Sequence, residues 1–194
     1  MRKLDLAKTA LVVIDLQKGI MGTGELKPYS ANEIIEKNNQ LAESIENTAG
    51  LITLVNVDPT TMRFLNREGN GKAYGNVPAD FTEFVMPIAG DKKAKNVLKV
   101  KKHNPGAFFG TDLDLQLRRR GIDTIILTGV ATANGVYATA LDAYQYGYDV
   151  IVIEDACGDR DEELHHIFFD KMFPKLGQTI QTAEMLKEIE SAKK

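Results

Sequence analysis

The chain has few of the residues on which disulfide-bonded, metal-binding and membrane proteins depend. Its 194 residues include one cysteine, three histidines and no tryptophan. The single cysteine, Cys157, excludes an internal disulfide and is typical of a reducing compartment, so we expect a cytoplasmic protein. The apolar run at residues 10–14 ends in Asp15 and is too short for a signal peptide or a membrane span.

Blocks of like charge are also missing. The 24 basic and 27 acidic residues are interspersed and leave a net charge of -3, which makes nucleic acid and anionic membranes poor candidates as partners. No cluster of residues has metal-ligand spacing, so we expect neither a metal nor another cofactor. The length and the 43% hydrophobic content suit one compact domain, residues 1–194, acting on a small-molecule substrate.

The most informative stretch, residues 122–155, has the pattern of a strand, a turn, a helix and a second strand. Residues 123–127 and 148–153 are apolar runs that predict buried strands. Between them, from Asn134 to Gly147, apolar residues recur at spacings of three and four, which indicates a helix. A unit of this length folds as a right-handed parallel crossover, so a parallel sheet with helices on its faces follows.

The rest of the chain repeats this alternation. We expect further strands at residues 9–14, 51–57, 96–100 and 178–181, and helices opened by a Ser30/Glu33 capping box, by Thr111 with Asp114, by Glu162 and by Thr182. Residues 60–95 show poor periodicity and are expected to cover the pocket or a neighbouring subunit. The fold class is therefore α/β, a three-layer Rossmann-like sandwich with a mainly parallel central sheet flanked by helices.

Ligands of such sheets bind beyond the carboxyl ends of the strands. Here that edge carries the turn at residues 129–135 and Asp15, which follows the first strand. The amino end of the helix after the turn favours a nucleophile or an anion. From the residues alone, Asp15 either bonds nearby backbone at the end of its strand or, as a partly desolvated carboxyl, serves as an acid or base.

Two stretches carry a family resemblance: TGVATANGVYATALDAYQYGYDVIVIEDAC, from residue 128, and VVIDLQKGI, from residue 12. They resemble motifs of the isochorismatase-like hydrolases, also called the cysteine hydrolase family, which includes nicotinamidases and carbamoylsarcosine amidases. The resemblance implies that Asp15 is catalytic and that Val130–Ala131 is a cis peptide. In most of the family a nucleophilic cysteine begins the helix, and the position that aligns with it here is Gly135.

The resemblance also implies a catalytic lysine, six residues before the first aromatic of an AFxGT-like motif. Counting back from Phe108 leads to Lys102, whereas Lys101 is expected to be solvated. A lysine beside Asp15 would hold the charge state of that acid and bind a substrate carboxylate or an oxyanion. The remaining residues expected to bind substrate or an oxyanion are Val130, Ala131, Asn134, Gly135 and Phe108.

Two functions are compatible with a sequence that keeps the family motifs but lacks the nucleophilic cysteine. The first is a hydrolase of the isochorismatase type, with Asp15 as acid or base and Lys102 stabilising charge on a small carboxylate-bearing or amide-like metabolite. The alternative is a relative of the amidase branch, which the run VATAN resembles, that lost catalysis and acts as a binding or regulatory protein. Cys157 is expected to be inert and packed away. Residues 165, 168, 169 and 172 form an apolar face, and we expect a homo-oligomer, dimer or tetramer.

Overall fold

The computed structural model describes residues 3–60 and 77–194, and its centre is a parallel sheet. Within those residues the strands are β1 Thr9–Ile14, β2 Leu51–Val57, β3 Val97–Lys102, β4 Thr124–Val130, β5 Asp149–Gly158 and β6 Gln178–Ile180. Their order across the 6-stranded sheet is β3-β2-β1-β4-β5-β6, and every neighbouring pair is parallel. The expected fold class is confirmed.

Helices cover both faces of the sheet. They are α1 Lys18–Met21, α2 Ala31–Ile45, α3 Leu113–Arg119, α4 Tyr137–Gln145, α5 Glu162–Ile167 and α6 Thr182–Ala192. Single π-helical turns at Thr132–Val136 and Phe168–Met172 adjoin α4 and α5. Because strand side chains alternate between faces, β1 sends Val12 towards α3 and α4, and Leu11 and Val13 towards α2 and α6.

Several boundaries differ from the sequence-based expectation. The third strand runs to Lys102 and so carries that residue at its end, and the strand expected at residues 148–153 continues to Gly158. The capping box of Ser30 and Glu33 is confirmed. The one expected from Thr111 and Asp114 is wrong, because the Asp114 carboxylate accepts from Arg118 and Tyr148 instead.

At the carboxyl end of the chain, Gln181 occupies the N-cap position of α6 expected for Thr182. The Thr182 hydroxyl donates to the Asp155 carboxylate at 2.7 Å and so ties α6 to β5. Of the expected cover segment, residues 61–76 lie outside the described residues. Residues 81–85 run beside the chain after β1, with Lys18 N donating to Glu83 O and Val85 N to Leu16 O. In the described part of the chain, no helix has the length and apolarity needed to cross a membrane.

One buried side chain fastens α2 to the middle of the sheet. Asn38 is fully buried, and its Nδ2 donates to Ile34 O at 2.8 Å and to Ala156 O at 3.0 Å. Its Oδ1 accepts from the Thr128 hydroxyl at 2.6 Å. A buried amide with all these bonds satisfied links one helix to β4 and β5, just below the carboxyl edge of the sheet.

We expect Asn38→Ala to lower the free energy of unfolding by about 2–4 kcal/mol, because it orphans the Thr128 hydroxyl and the Ala156 carbonyl and leaves a cavity. Urea titration followed by circular dichroism measures the change. The matched control is Asn39→Ala, next along the helix and half-buried, which we expect to change the free energy by under about 0.5 kcal/mol. Equal effects of the two substitutions would contradict this role for Asn38.

Candidate active site

Asp15 leaves β1 in an unusual backbone conformation. Its φ is +55°, a left-handed value that among non-glycine residues aspartate and asparagine adopt most readily. The conformation is fixed from both sides, since Asp15 N donates to Val55 O at 2.9 Å and Gln17 N donates to Asp15 O at 2.8 Å. The sharp change of direction lets the chain leave the sheet at its carboxyl edge, where the Asp15 side chain meets residues from β3 and from the turn after β4.

Gln17 stabilises the path of the chain as it leaves β1, and the sequence analysis did not identify it as a site residue. Its side chain is fully buried: Oε1 accepts from Val57 N at 2.6 Å, while Nε2 donates to the carbonyls of Val57 and Phe81, each at 3.0 Å. One amide therefore joins the ends of β1 and β2 to the segment that lies over them. A glutamine two residues after a strand-end aspartate has no distinctive sequence signal, so only the structure reveals it.

Lys102 and Asp15 form a buried ion pair. The Lys102 side chain is 1% exposed, and its Nζ lies 2.8 Å from Asp15 Oδ2. The same Nζ donates to the carbonyl of Pro105, in the loop after β3. Asp15 Oδ1 is buried and has no hydrogen-bond partner among residues 3–60 and 77–194. The pair therefore leaves one carboxylate oxygen unsatisfied within the described part of the chain.

Burial decides the protonation of Asp15. Desolvation raises the pKa of its carboxyl from 3.8 to about 6, although the charge of Lys102 and the hydrogen bond from it act in the opposite direction. Near neutral pH, Asp15 is thus a carboxylate with an accessible protonated form, which is the condition for moving protons in either direction.

The turn after β4 approaches the ion pair closely. Gly129 has a φ of +112°, and a Cβ there would lie 2.1 Å from Ile14 O, so only glycine fits against β1. The Val130–Ala131 peptide is cis, as the family resemblance implies. A Cβ built on Gly135 would lie 3.1 Å from Lys102 Nζ and 3.3 Å from Asp15 Oδ2. The position aligned with the family cysteine therefore borders both charged groups.

Side chains behind this turn hold its backbone in place. Ala133 N donates to Asp159 Oδ2 at 2.8 Å, and the Thr139 hydroxyl donates to Gly135 O at 2.7 Å. The Thr132 side chain meets the ring of His165, with 2.9 Å between Oγ1 and Nδ1. The turn is thus bonded through Ala133 to the residue after β5, through Gly135 to α4 and through Thr132 to α5.

A cavity of about 190 Å³ opens over these groups. Six residues expected from the sequence line it: Asp15, Lys102, Val130, Ala131, Asn134 and Gly135. Phe108 has another position, buried in the core with its ring centroid 5.4 Å from that of Tyr146 and 5.8 Å from that of Tyr148. A larger cavity, of about 550 Å³, lies at the opposite edge of the sheet, beside Asp123 and Asp149, far from the ion pair.

The sequence reasoning missed Arg160, which also lines the cavity. Its guanidinium donates to the carbonyls of Ile20 and Gly24 and to the Thr23 hydroxyl, so it ties the end of β5 to the glycine-rich segment after α1. Arg160 lies two residues beyond the end of β5, and the rule that places ligands at carboxyl strand ends could have found it.

Cys157 is not positioned for chemistry. It is fully buried within β5, opposite Gly129, and burial raises the pKa of its thiol far above neutrality. Among the described residues, no group of three or more histidine, cysteine, aspartate or glutamate side chains has the arrangement of a metal site.

Comparison with known proteins assigns the chain to a family. Residues 9–184 match the model of the isochorismatase domain. The chain belongs to the isochorismatase family. It is 39% identical over 193 residues to the uncharacterized isochorismatase family protein YwoC of Bacillus subtilis, with 96% of each chain covered. An isochorismatase family protein of Burkholderia thailandensis has a similar structure, with a TM-score of 0.84, 34% identity, and 95% of this chain and 96% of that one covered.

A third relative has a named activity. The maleamate amidohydrolase of Pseudomonas putida is 31% identical over 115 residues, which cover 59% of this chain and 51% of that protein. Members of the isochorismatase family are hydrolases. In general, parallel α/β sheets bind ligands at the carboxyl edge of the strands, which is the edge that carries Asp15 and Lys102 here.

We expect Asp15 to titrate near pH 6, and Lys102→Met to raise that pKa further, because the substitution removes both interactions that favour the carboxylate while burial remains. Carboxyl carbon NMR of the labelled protein measures the titration. Lys101→Met is the matched control, since Lys101 is half-exposed and pairs with Asp58 at 3.7 Å. A titration near pH 4 in the wild type, or a downward shift in Lys102→Met, would show that burial does not control this carboxyl.

Proposed function

We propose that this protein hydrolyses a small carboxylate-bearing or amide-like metabolite, with Asp15 as acid and base, Lys102 stabilising negative charge, and no cysteine nucleophile. The observation that carries the proposal is the closeness of Gly135 to the ion pair: a Cβ there would lie 3.1 Å from Lys102 Nζ and from Ile14 Cγ2, and 3.3 Å from Asp15 Oδ2. A reactant in the cavity that Gly135, Lys102 and Asp15 line is within reach of both charged groups. Glycine keeps a side chain out of this crowded position, where most of the family carries a thiol.

For an amide, the Asp15 carboxylate takes a proton from water as the water oxygen attacks the carbonyl carbon. The Lys102 ammonium stabilises the oxyanion that forms. Asp15 then gives the proton to the nitrogen as the C–N bond breaks, so the products are a carboxylic acid and an amine or ammonia. For an enol ether, the protonated carboxyl first delivers its proton to carbon, and water then adds to the cation and returns a proton to the Asp15 carboxylate. The hemiketal that results breaks its C–O bond and gives a carbonyl compound and an alcohol. A pKa of about 6 suits either order.

The turn supplies the remaining contacts of the proposed site. Val130, Ala131, Asn134 and Gly135 line the cavity and, in this proposal, bind the substrate carboxylate or the oxyanion through their backbone and the Asn134 amide. The cavity volume of about 190 Å³ limits the substrate to a small metabolite. Maleamate, named in the activity of one relative, carries both an amide and a carboxylate and is the first compound to test.

The Arg160 guanidinium at the cavity wall is a candidate partner for an anion. Lys102 and Asp15 pair with each other at 2.8 Å. The partners of the guanidinium among residues 3–60 and 77–194 are two carbonyls and a hydroxyl. The nearby Asp159 carboxylate accepts from the backbone N–H groups of Arg160 and Ala133 instead, so a substrate carboxylate can supply a charged partner for the guanidinium.

The test of the proposal is a hydrolysis assay on maleamate, nicotinamide, N-carbamoylsarcosine and isochorismate, followed by mass spectrometry. We expect turnover of at least one compound and a loss of about 10²–10⁴-fold in Asp15→Asn, which cannot transfer the proton. Gly135→Ala should also lose about 10²-fold, because its methyl group displaces the reactant from the ion pair.

The control for Gly135→Ala is Gly90→Ala, where the nearest atom to the added Cβ is 3.8 Å away and full activity is expected. Iodoacetamide should leave turnover intact, since Cys157 is fully buried. Wild-type turnover in Asp15→Asn, or its abolition by alkylation of a protein that stays folded, would overturn the proposed chemistry.

Arg160→Met should lower kcat/KM for a monoanionic amide such as maleamate by about 10²-fold and change kcat/KM for neutral maleamide much less, because only the anion loses a charged partner. Comparing two substrates in one variant cancels any disturbance of residues 20–24. The control variant is Arg119→Met, which removes an exposed arginine from α3. Equal losses on both substrates would mean that Arg160 acts only by holding the segment after α1.

A second candidate function rests on the same glycine. Among the described residues that line the cavity there is no cysteine or serine, and the one hydroxyl, on Thr23, is bonded to Ile20 and Arg160. A site without a nucleophilic side chain also suits a binding or regulatory protein. Micromolar binding of an anion with no turnover, abolished in Arg160→Met, would favour this alternative over hydrolysis.

A further inference from the structure

His165 is a buried titratable residue that takes no part in the chemistry above. It lies on α5 and is fully buried, with its ring centroid 4.7 Å from that of Phe169 and 6.0 Å from that of Tyr29. Nδ1 lies 2.9 Å from Thr132 Oγ1. Nε2 is buried and has no hydrogen-bond partner among residues 3–60 and 77–194.

The hydrogen-bond inventory selects one tautomer of this ring. Burial and the neighbouring His166 lower the pKa of His165 to about 4, against the effect of Asp159, so the ring is neutral near pH 7 and carries one N–H. If Nδ1 carried it, the Thr132 hydroxyl would need another acceptor, and the described residues provide none. With the proton on Nε2, the Thr132 hydroxyl donates to Nδ1, and only the Nε2–H lacks a hydrogen-bond acceptor among the described residues.

Stability does not account for a histidine at this position. A buried neutral hydrogen bond contributes no more to folding than an orphaned buried N–H costs, so the two roughly cancel. The surroundings are aromatic, and a phenylalanine would occupy similar space without an orphaned polar atom. What the histidine adds is a fixed acceptor for one particular hydroxyl.

That hydroxyl belongs to the turn that forms the site. Thr132 is fully buried and begins the π-helical turn Thr132–Val136, in which Asn134 and Gly135 line the cavity. The next residue, Ala133, is held through its N–H by Asp159. Contacts from α5 and from the end of β5 therefore fix two consecutive residues on the side of the turn away from the ion pair.

We propose that His165 is a positioning residue for the active site. Its Nδ1 accepts a hydrogen bond from the Thr132 hydroxyl, and this bond fixes the conformation of the turn that places Asn134 and Gly135 beside Asp15 and Lys102. The effect of His165 on rate rests on the proposed hydrolysis, whereas its effect on the conformation of the turn in the substrate-free protein does not. We therefore expect the variant that lacks both the His165 ring and the Thr132 hydroxyl to regain stability without regaining activity.

The test uses His165→Phe, Thr132→Val, the double variant and the conservative Thr132→Ser. Each single apolar variant should lower kcat by about 10–10²-fold with a much smaller change in KM, because a displaced turn misaligns the reactants. Each should also lower the Tm, since one buried partner is orphaned. The double variant should recover the Tm, with both polar groups gone, and should not recover kcat. Thr132→Ser keeps the hydroxyl and should stay near wild-type kcat.

Nitrogen NMR of the substrate-free protein gives a readout that needs no turnover. The His165 Nδ1 resonance should have the shift of an unprotonated nitrogen, and the amide peaks of Asn134 and Gly135 should move in His165→Phe and not in the control His166→Phe, whose side chain is half-exposed. Unmoved peaks, or a double variant that recovers kcat together with Tm, would overturn the positioning role. Moved peaks in a protein that turns over none of the compounds would sustain it and would instead refute the proposed hydrolysis.

Discussion

The ion pair between Lys102 and Asp15 is the interaction on which the whole site depends. Two opposite charges in a dry interior attract strongly, but each also loses its hydration, and desolvation can exceed the attraction. Here the balance leaves the carboxyl with a pKa of about 6, so burial outweighs the nearby ammonium. One oxygen of Asp15 is occupied by Lys102, and the other has no partner among the described residues. The Asp15 carboxyl can therefore gain or lose a proton near neutral pH and has one oxygen without a hydrogen bond from the described residues. Both properties serve catalysis only if a reactant reaches the ion pair.

Close contact between the backbones of β1 and β4 brings the turn after β4 to that ion pair. Parallel strands end at the same edge, so β1 and β3 deliver Asp15 and Lys102 to one side of the sheet, with β2 between them. Gly129 allows β4 to lie against Ile14 closely enough that the following turn reaches the pair. In that turn, Gly135 lies so close to the pair that a Cβ would meet Lys102 Nζ and Ile14 Cγ2 at 3.1 Å and Asp15 Oδ2 at 3.3 Å. The lack of a side chain at Gly129 and Gly135 therefore shapes the site together with the charged residues.

Local signals of buried strands, helix caps and strand ends predicted the sheet, its helices and five of the residues that line the cavity: Asp15, Val130, Ala131, Asn134 and Gly135. Lys102 came from a family motif, since two adjacent lysines at a strand end look alike until the strand direction shows which is buried. Phe108 was expected at the site, but its ring packs with Tyr146 and Tyr148, a contact between segments far apart in sequence. Arg160, Gln17 and His165 were missed as site residues for the same reason: the hydrogen-bond partners of their side chains lie 33 to 140 residues away, in no recognisable pattern.

The central claim is that water, admitted beside Gly135, attacks the substrate directly. The most direct measurement is a single turnover in water labelled with oxygen-18, with enzyme in excess over an amide substrate and mass spectrometry of both product and protein. Direct attack predicts one labelled oxygen in the new carboxyl group and no label in the peptide that contains Asp15. An unlabelled product carboxyl, with the label in Asp15 instead, would show that the carboxylate itself had attacked the substrate and would contradict the account.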